Sequence, residues 1–497
     1  MINFIILSRF ILTIFCLIFS FYSIQYYDGS KYIFLIFNFS ILILTFYLTS
    51  TNSSFFSFFL AFYMFMGFWF KYNFSLVFNN GYVFDSGLLN SSNIDNVLVI
   101  SIYLFIVIII ASFLEKIFFK YEKFYISKKE NLFIKFYLNN KIIFLFLFIS
   151  LFLFVAFINF YFKIYVKGLI FDNNYNQILL NLLKWLLLFG FSTFSCFILN
   201  SNYLSNKNTL LIFFIVFFEI FISNTSMLSR SMLLFGLPFL YSSIFYASNH
   251  DNFYRKFLVI LSMYICFVTL SIYLANELRA NYIKEFKSSV KTEMLSKKKL
   301  TDESEDNLEK ANRFNFQLNE TGKGQVSAKR MTTFIIINRW TGIDSLINVS
   351  NSKNLGFDLF LNSFEEQKSK IGNTFYEKNF NLEYQKPSFS IKNIYVKGNT
   401  LPGIFSFIYY SGSILFLLTF SFSIFIILSF VEKKIYKITN NNIFYVAFFS
   451  HIIVNRLFSF GYAPKDTYLF VTSLILSIIF IYFLESDRFE KIFKSLK

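Results

Sequence analysis

Apolar segments cover this chain almost from end to end, and one polar stretch, residues 275–402, interrupts them. Many of these segments reach the roughly 20 residues that an α-helix needs to cross about 30 Å of hydrocarbon. Only 4 Pro and 16 Gly are present to break them, and a helix satisfies its backbone hydrogen bonds within one segment. The pattern predicts an all-α polytopic membrane protein with one large loop on a single face of the bilayer.

The apolar pattern predicts about twelve transmembrane helices. Their predicted ranges are 3–22, 32–49, 55–70, 97–115, 142–162, 178–199, 209–223, 229–248, 256–274, 403–430, 442–460 and 467–484. Three parts follow: a bundle of about nine helices at 1–274, the polar loop with amphipathic helices at 275–402, and about three helices with a short tail at 403–497.

Basic residues in the short loops predict the face on which each loop lies. The loop from Glu115 to Lys141 carries seven Lys against three Glu, and cytoplasmic loops are enriched in Lys and Arg. Counting helices from this loop places HDNFYRK (250–256), VEKKIYK (431–437) and the C-terminal tail on the same side. We therefore expect both termini in the cytoplasm and the 275–402 loop outside.

Composition argues against several classes of function. The net charge of +17 does not indicate a nucleic-acid partner, because Lys-rich loops serve membrane insertion and face anionic lipid. Cys16, Cys196 and Cys266 all lie in apolar segments, and His250 and His451 are the two histidines. These residues argue against a disulfide framework and a multi-histidine metal site. We predict neither a metal nor a cofactor.

Arginine is scarce, with 9 Arg against 37 Lys, yet six arginines map to the predicted outer face. They are Arg230, Arg279, Arg313, Arg330, Arg339 and Arg456. A guanidinium group grips phosphate oxygens with two parallel hydrogen bonds, which an ammonium group does not do. We predict that all of them except Arg313 bind a diphosphate at the membrane–water boundary. Snorkelling or ordinary ion pairing stays an alternative for each one. Within the predicted spans, Glu219 and His451 are interpreted first as interhelical hydrogen-bonding groups.

Three stretches carry a resemblance to a known family. They are LSRSMLLFGLPFLY ahead of the outer loop that opens near NELRANY, NRWTGIDSLINVS inside that loop, and LPGIFSFIYYSGS where the chain re-enters the membrane. With the span count and loop placement, the chain resembles the bacterial O-antigen and exopolysaccharide repeat-unit polymerases of the Wzy type. The resemblance extends over nearly the whole chain, and the related O-antigen ligases share the plan.

The resemblance implies a metal-independent glycosyl transfer on the periplasmic face of the bacterial inner membrane. A glycan on polyprenyl diphosphate would move to a hydroxyl of the next lipid-linked repeat, with arginines stabilising the leaving diphosphate. The long loop contains no histidine, which disfavours a ligase and leaves Glu277 and Asp344 as candidate general bases. Expected partners are the lipid-linked oligosaccharide, membrane lipid, a chain-length regulator and a flippase.

Other functions stay open at this point. A glycosyltransferase that uses a polyprenyl-phosphate sugar is typically expected to carry an acidic pair in its first outer loop, where this chain has SIQYYDGSKY with Asp28 alone. A flippase or transporter would show charged pairs in several spans and a repeat between its halves. A structural or receptor-like protein with a partner-binding loop is also compatible with the composition.

Overall fold

The computed structural model of the protein describes residues 2–50, 54–79, 82–83, 87–88, 93–118, 132–167, 169–171, 176–205, 209–248, 253–297, 340–366, 374–380, 389–391, 394–396, 401–458 and 462–485. The helices are α1 Ile2–Ser23, α2 Lys31–Leu48, α3 Phe55–Met64, α4 Lys71–Asn79, α5 Ile94–Phe118, α6 Leu132–Asn139, α7 Lys141–Phe162, α8 Gln177–Trp185, α9 Phe191–Leu204, α10 Thr209–Ser226, α11 Met232–Ser248, α12 Phe253–Lys297, α13 Ile343–Ser350, α14 Phe357–Asn362, α15 Phe375–Phe380, α16 Ile404–Ile408, α17 Ile414–Ile438, α18 Ile443–Phe458 and α19 Pro464–Glu485.

Two π-helical turns join helices without a break: Phe65–Phe70 connects α3 to α4, and Leu186–Gly190 connects α8 to α9. The described strands are short: β1 Tyr82–Val83, β2 Gly87–Leu88, β3 Leu169–Phe171, β4 Phe389–Ile391 and β5 Ile394–Val396. Strands β3, β5 and β4 form an antiparallel sheet in that order. Through this sheet, β3 in the connection after α7 hydrogen-bonds to β5 in the C-terminal part of the 275–402 stretch.

Nine helical stretches within the described residues are long and apolar enough to cross a membrane. They are 31–48, 55–78, 94–118, 141–162, 178–204, 209–226, 253–279, 414–438 and 464–485. Three shorter apolar helices are Ile11–Tyr26, Met232–Ile244 and Ile443–Phe458. The predicted class of helical membrane protein is confirmed at this level. The count of about twelve spans and the periplasmic position of the loop stay predictions.

Helix α18 lies at the centre of the bundle. It packs against α3, α9, α11 and α17, and most of its side chains are buried. In contrast, only 22–28% of the residues in the apolar parts of α7, α12, α17 and α19 are buried. Since apolar side chains on the outside of a bundle are suited to contact with lipid, these four helices lie at its periphery.

The helix predicted at 403–430 consists of two separate elements. Helix α16 is buried and packs against α13 and α17. A 3₁₀ turn follows it, and Gly412 then adopts a left-handed conformation with φ of +69°, which glycine tolerates best. The Ser413 side chain accepts a hydrogen bond from the Phe416 backbone N–H and caps α17. The long helix therefore begins at Ile414.

Helix α12 passes the boundary predicted at residue 274 without a break. Its apolar part ends at Arg279, and the helix continues to Lys297. The extra 18 residues correspond to about 27 Å at 1.5 Å per residue. Arg279 consequently lies within a continuous helix, where its apolar part ends and its polar part begins.

Candidate functional site

The connection between α7 and α8 is fixed to the bundle by one buried amide. The Asn159 side chain accepts from Tyr165 N–H at 2.9 Å and donates to the Tyr165 carbonyl at 3.1 Å and the Ser226 carbonyl at 3.0 Å. The Lys167 N–H also donates to the Met227 carbonyl at 3.0 Å. These bonds hold Tyr165 and Lys167 beside the end of α10.

Two of the predicted arginines meet at this connection. Arg279 donates from Nη1 to the Lys167 carbonyl at 3.3 Å. Burial, followed by the positive charge of Arg279, lowers the pKa of Arg230, which lies between α10 and α11. Lys167 Nζ lies 2.6 Å from Ser231 Oγ, to which it donates. Like charges repel, so this group of cations is one that a bound anion would stabilise.

Arg456, in the last turn of α18, lies near the same connection. Burial raises the pKa of Tyr165 to about 12, and the charge of Arg456 opposes that rise. Burial also raises the pKa of Tyr462, against the effects of the Thr467 hydroxyl and Arg456. Arg456 is therefore near both tyrosines. We name Arg230, Arg279, Arg456 and Lys167 the cationic cluster.

The cationic cluster keeps unpaired donors although one carboxylate, Asp466, lies within electrostatic range of Arg456. The Nε atoms of Arg230 and Arg456 are buried and have no hydrogen-bond partner among the described residues. Buried polar groups are almost always paired, and an exception calls for an explanation such as an absent ligand. The guanidinium of Arg456 also lies 5.9 Å from the centre of the Phe470 ring, which restricts its position.

Asp344, predicted as a candidate base, forms a buried ion pair with Lys71 at 2.6 Å. Lys71 Nζ also donates to the Trp340 carbonyl at 2.7 Å, and Asp344 Oδ1 accepts from Gly342 N–H at 3.2 Å. Removing one partner of such a pair leaves an uncompensated buried charge. The catalytic role of Asp344 stays a prediction, but its described contacts are those of an anchor.

A close backbone contact accompanies this ion pair. A Cβ atom added to Gly67 would lie 2.4 Å from the Thr341 carbonyl oxygen, and one added to Gly342 would lie 2.4 Å from the Gly67 carbonyl oxygen. Gly67 belongs to the first π-helical turn, a feature common at functional sites. The backbone just before α13 therefore packs directly against the π-helical turn between α3 and α4, with no room for a side chain on either glycine.

The stretch TTFIIINRWTGIDSLINV (332–349) is amphipathic, a pattern that predicts contact with the outer bilayer surface, and it is described only from residue 340 onward. In that part, α13 packs against α4, α5 and α16 and buries its apolar side chains. Packing inside the protein therefore replaces the expected contact with lipid over residues 343–350. The 332–339 part lies outside the described residues.

The remaining residues singled out from the sequence lie on the surface of α12, in the bundle core or outside the described residues. Glu277 is exposed on α12, two residues before Arg279. Arg330 and Arg339 lie outside the described residues. His451 lies in the bundle core with Nε2 3.2 Å from the Tyr63 hydroxyl, the interhelical contact expected of a histidine there. In the described part of the chain, no group of three or more His, Cys, Asp or Glu could hold a metal ion.

Asn159, Tyr165 and Lys167 are not among the site residues predicted from the sequence. A signal was available, because Lys163 and Lys167 lie in a loop predicted outside, where the positive-inside tendency disfavours lysine. Comparisons of the chain with protein-family models, with curated proteins and with solved structures found no match.

Proposed function

We propose that the protein polymerises oligosaccharide repeats linked to polyprenyl diphosphate, on the periplasmic face of a bacterial inner membrane. It would be an enzyme of O-antigen or exopolysaccharide synthesis, a repeat-unit polymerase of the Wzy type. The observation that carries this proposal is the convergence of Arg230, Arg279 and Arg456 at one end of the bundle. Arg230 precedes α11, Arg279 lies within α12 and Arg456 lies in the last turn of α18, so the grouping is a property of the fold.

The cationic cluster suits the leaving group of this reaction. The acceptor hydroxyl oxygen forms a bond to the anomeric carbon while the bond from that carbon to the diphosphate breaks. Negative charge then accumulates on the diphosphate oxygens. Preorganised guanidinium donors in a site of low dielectric constant stabilise such charge strongly, and two buried Nε–H groups of the cluster are unpaired among the described residues.

The acceptor hydroxyl must give its proton to a base. Glu277 suits this role better than Asp344, because its carboxylate is exposed whereas that of Asp344 is paired with Lys71. Residues two apart on an α-helix differ by about 200° in direction. Glu277 and Arg279 therefore diverge, and the acceptor and the diphosphate would lie on different sides of α12.

Reconstitution tests the proposal. Liposomes containing the purified protein would receive a synthetic polyprenyl-diphosphate oligosaccharide, and the products would be separated by length. We expect a ladder of longer glycans and one polyprenyl diphosphate released for each bond formed. Movement of a labelled lipid-linked oligosaccharide across the bilayer without elongation would refute polymerisation and indicate a flippase. Release of polyprenyl monophosphate from a monophosphate donor would indicate the phosphosugar-dependent alternative.

A further inference from the structure

Helices α9 and α10, which pack on each other, carry buried polar residues that face the same region. On α9 the spacing of i, i+4 and i+8 places three of them on one side. The residues are Ser192, Cys196 and Asn200 on α9 and Glu219, Ser223 and Ser226 on α10. We name this set, with Glu485 and Tyr445, the polar ladder.

Glu485, the last residue of α19, lies at the end of the polar ladder that is farther from the connection after α7. Its Oε1 accepts from Asn200 Nδ2 at 3.1 Å and from Asn442 Nδ2 at 2.7 Å. Its Oε2 is buried and has no hydrogen-bond partner among the described residues, and the same holds for the Tyr445 hydroxyl. Tyr445 lies within electrostatic range of both Glu485 and Cys196.

Glu219 occupies the middle of the polar ladder and is fully buried. Its Oε1 accepts from Ser223 Oγ at 2.9 Å, and the Ser192 and Ser195 hydroxyls lie beside the carboxyl group. Its Oε2 has no partner within the described part of the chain. Cys196 is close enough to interact electrostatically with both Glu219 and Glu485, so the two carboxyl groups flank one residue of α9.

The other end of the polar ladder reaches the connection after α7, which carries Lys167 of the cationic cluster. Ser226 Oγ donates to the Ser223 carbonyl at 2.8 Å, and Asn159 Nδ2 lies 3.4 Å from Ser226 Oγ. The same Asn159 amide binds the Tyr165 carbonyl. The eight residues from Asn200 back to Ser192 rise about 12 Å along α9, and the seven from Glu219 to Ser226 rise about 10 Å along α10, at 1.5 Å per residue. Because Ser192 lies beside Glu219, the path rises about 22 Å in all, most of the roughly 30 Å hydrocarbon thickness.

Polar residues that merely hold helices together are expected to satisfy one another. Here two buried carboxyl groups each keep one oxygen without a partner among the described residues, although a buried acid is costly in a membrane. We propose that the polar ladder conducts protons between the two ends of the bundle, with Glu485 and Glu219 binding the proton in turn.

Each transfer step breaks one O–H bond and forms another, with no oxidation or reduction. The proton moves from the Glu485 carboxyl group through the Tyr445 hydroxyl, which accepts one proton as it gives up its own, and on to Glu219. Where two oxygens are not in direct contact, the transfer requires a water molecule between them. From Glu219 the proton passes to the Ser223 hydroxyl, which gives up its own proton to solvent water at the Asn159–Tyr165 connection.

Proton flux into liposomes tests the inference. Vesicles containing the full-length protein and a pH-sensitive dye would be given a potassium diffusion potential with valinomycin. We expect faster internal pH change than in protein-free vesicles. Glu219→Gln or Glu485→Gln should slow that change about tenfold or more, because an amide does not bind and release a proton. Where a glutamine variant does not fold, Ser223→Ala, which removes the hydroxyl relay, should also lower the flux.

Glu432→Gln is the matched control. Glu432 is also a buried carboxyl group within a span, but it accepts from the Phe55 and Phe56 backbone N–H groups and lies on α17, outside the polar ladder. Its variant should conduct like the wild type. Flux no faster than in protein-free vesicles, or an equal loss in Glu432→Gln and Glu219→Gln, would overturn the inference. No lipid-linked sugar is present, so the result is independent of the proposed polymerase activity.

Discussion

Arg279→Ala removes one guanidinium group from the cationic cluster while leaving the course of α12 intact, since alanine is the best helix former. One of the five guanidinium N–H donors is used by the described bond to the Lys167 carbonyl at 3.3 Å. Losing a preorganised donor to a developing anion costs about 3–4 kcal/mol. We therefore expect the rate of glycan transfer to fall about 100- to 1000-fold.

The rate would be measured in liposomes with a synthetic polyprenyl-diphosphate oligosaccharide, from the time course of glycan lengthening. Arg279→Lys keeps the charge but loses the planar fork, so its rate should lie between those of the wild type and Arg279→Ala. Arg255→Ala is the matched control. Arg255 is exposed on the same helix, 24 residues earlier and thus about 36 Å away, and its variant should transfer like the wild type.

Two results would refute this reasoning. One is a folded Arg279→Ala variant whose rate stays within about threefold of the wild type, the effect of an ordinary exposed charge. The other is an equal loss of rate in Arg255→Ala. That result would show that removing any positive charge from α12 slows transfer, whether or not the charge belongs to the cationic cluster.

Three further predictions concern the anchoring contacts. Lys71→Met removes the cation that pairs with the buried Asp344 carboxylate, so the free energy of unfolding in detergent should fall by about 3–5 kcal/mol; a change below about 1 kcal/mol would contradict the anchor. Gly67→Ala places a methyl group 2.4 Å from a backbone oxygen and should cost about 1–3 kcal/mol, whereas Gly356→Ala, which meets nothing within 4 Å, should leave the melting temperature nearly unchanged. Asn159→Leu removes the amide that fixes the connection after α7 and should lower both the melting temperature and the transfer rate. An unchanged transfer rate would show that this connection does not position the residues that act on the substrate.

Hydropathy predicted most long helices well because an apolar segment of membrane-spanning length has few alternatives to a helix. The predicted range 97–115 corresponds to α5, and 142–162 corresponds to α7. Hydropathy does not register a change of backbone direction inside an apolar stretch, so the break at Gly412 was missed. Hydropathy also does not detect a helix that continues through polar residues. The predicted end at residue 274 therefore falls well before the observed end of α12 at Lys297.

The site was predictable only in part. Scarcity of arginine and its chemistry pointed to Arg230, Arg279 and Arg456, which the fold brings to one connection. The Asp344–Lys71 pair could not be foreseen, because its partners come from segments far apart in the chain and no local pattern joins them. Lys167 was missed for a similar reason: its role follows from backbone contacts to Arg279 and Met227. Arg330 and Arg339 stay predictions.

The unbroken course of α12 has a mechanical consequence. Because the helix extends about 27 Å past Arg279, a tilt of about 10° around that residue displaces its far tip by about 5 Å. Force applied to the tip by a bulky object, such as a lengthening sugar polymer, thus reorients the guanidinium that would hold the leaving group. In the proposed polymerase, such leverage would couple the length of the product to the binding of the next substrate.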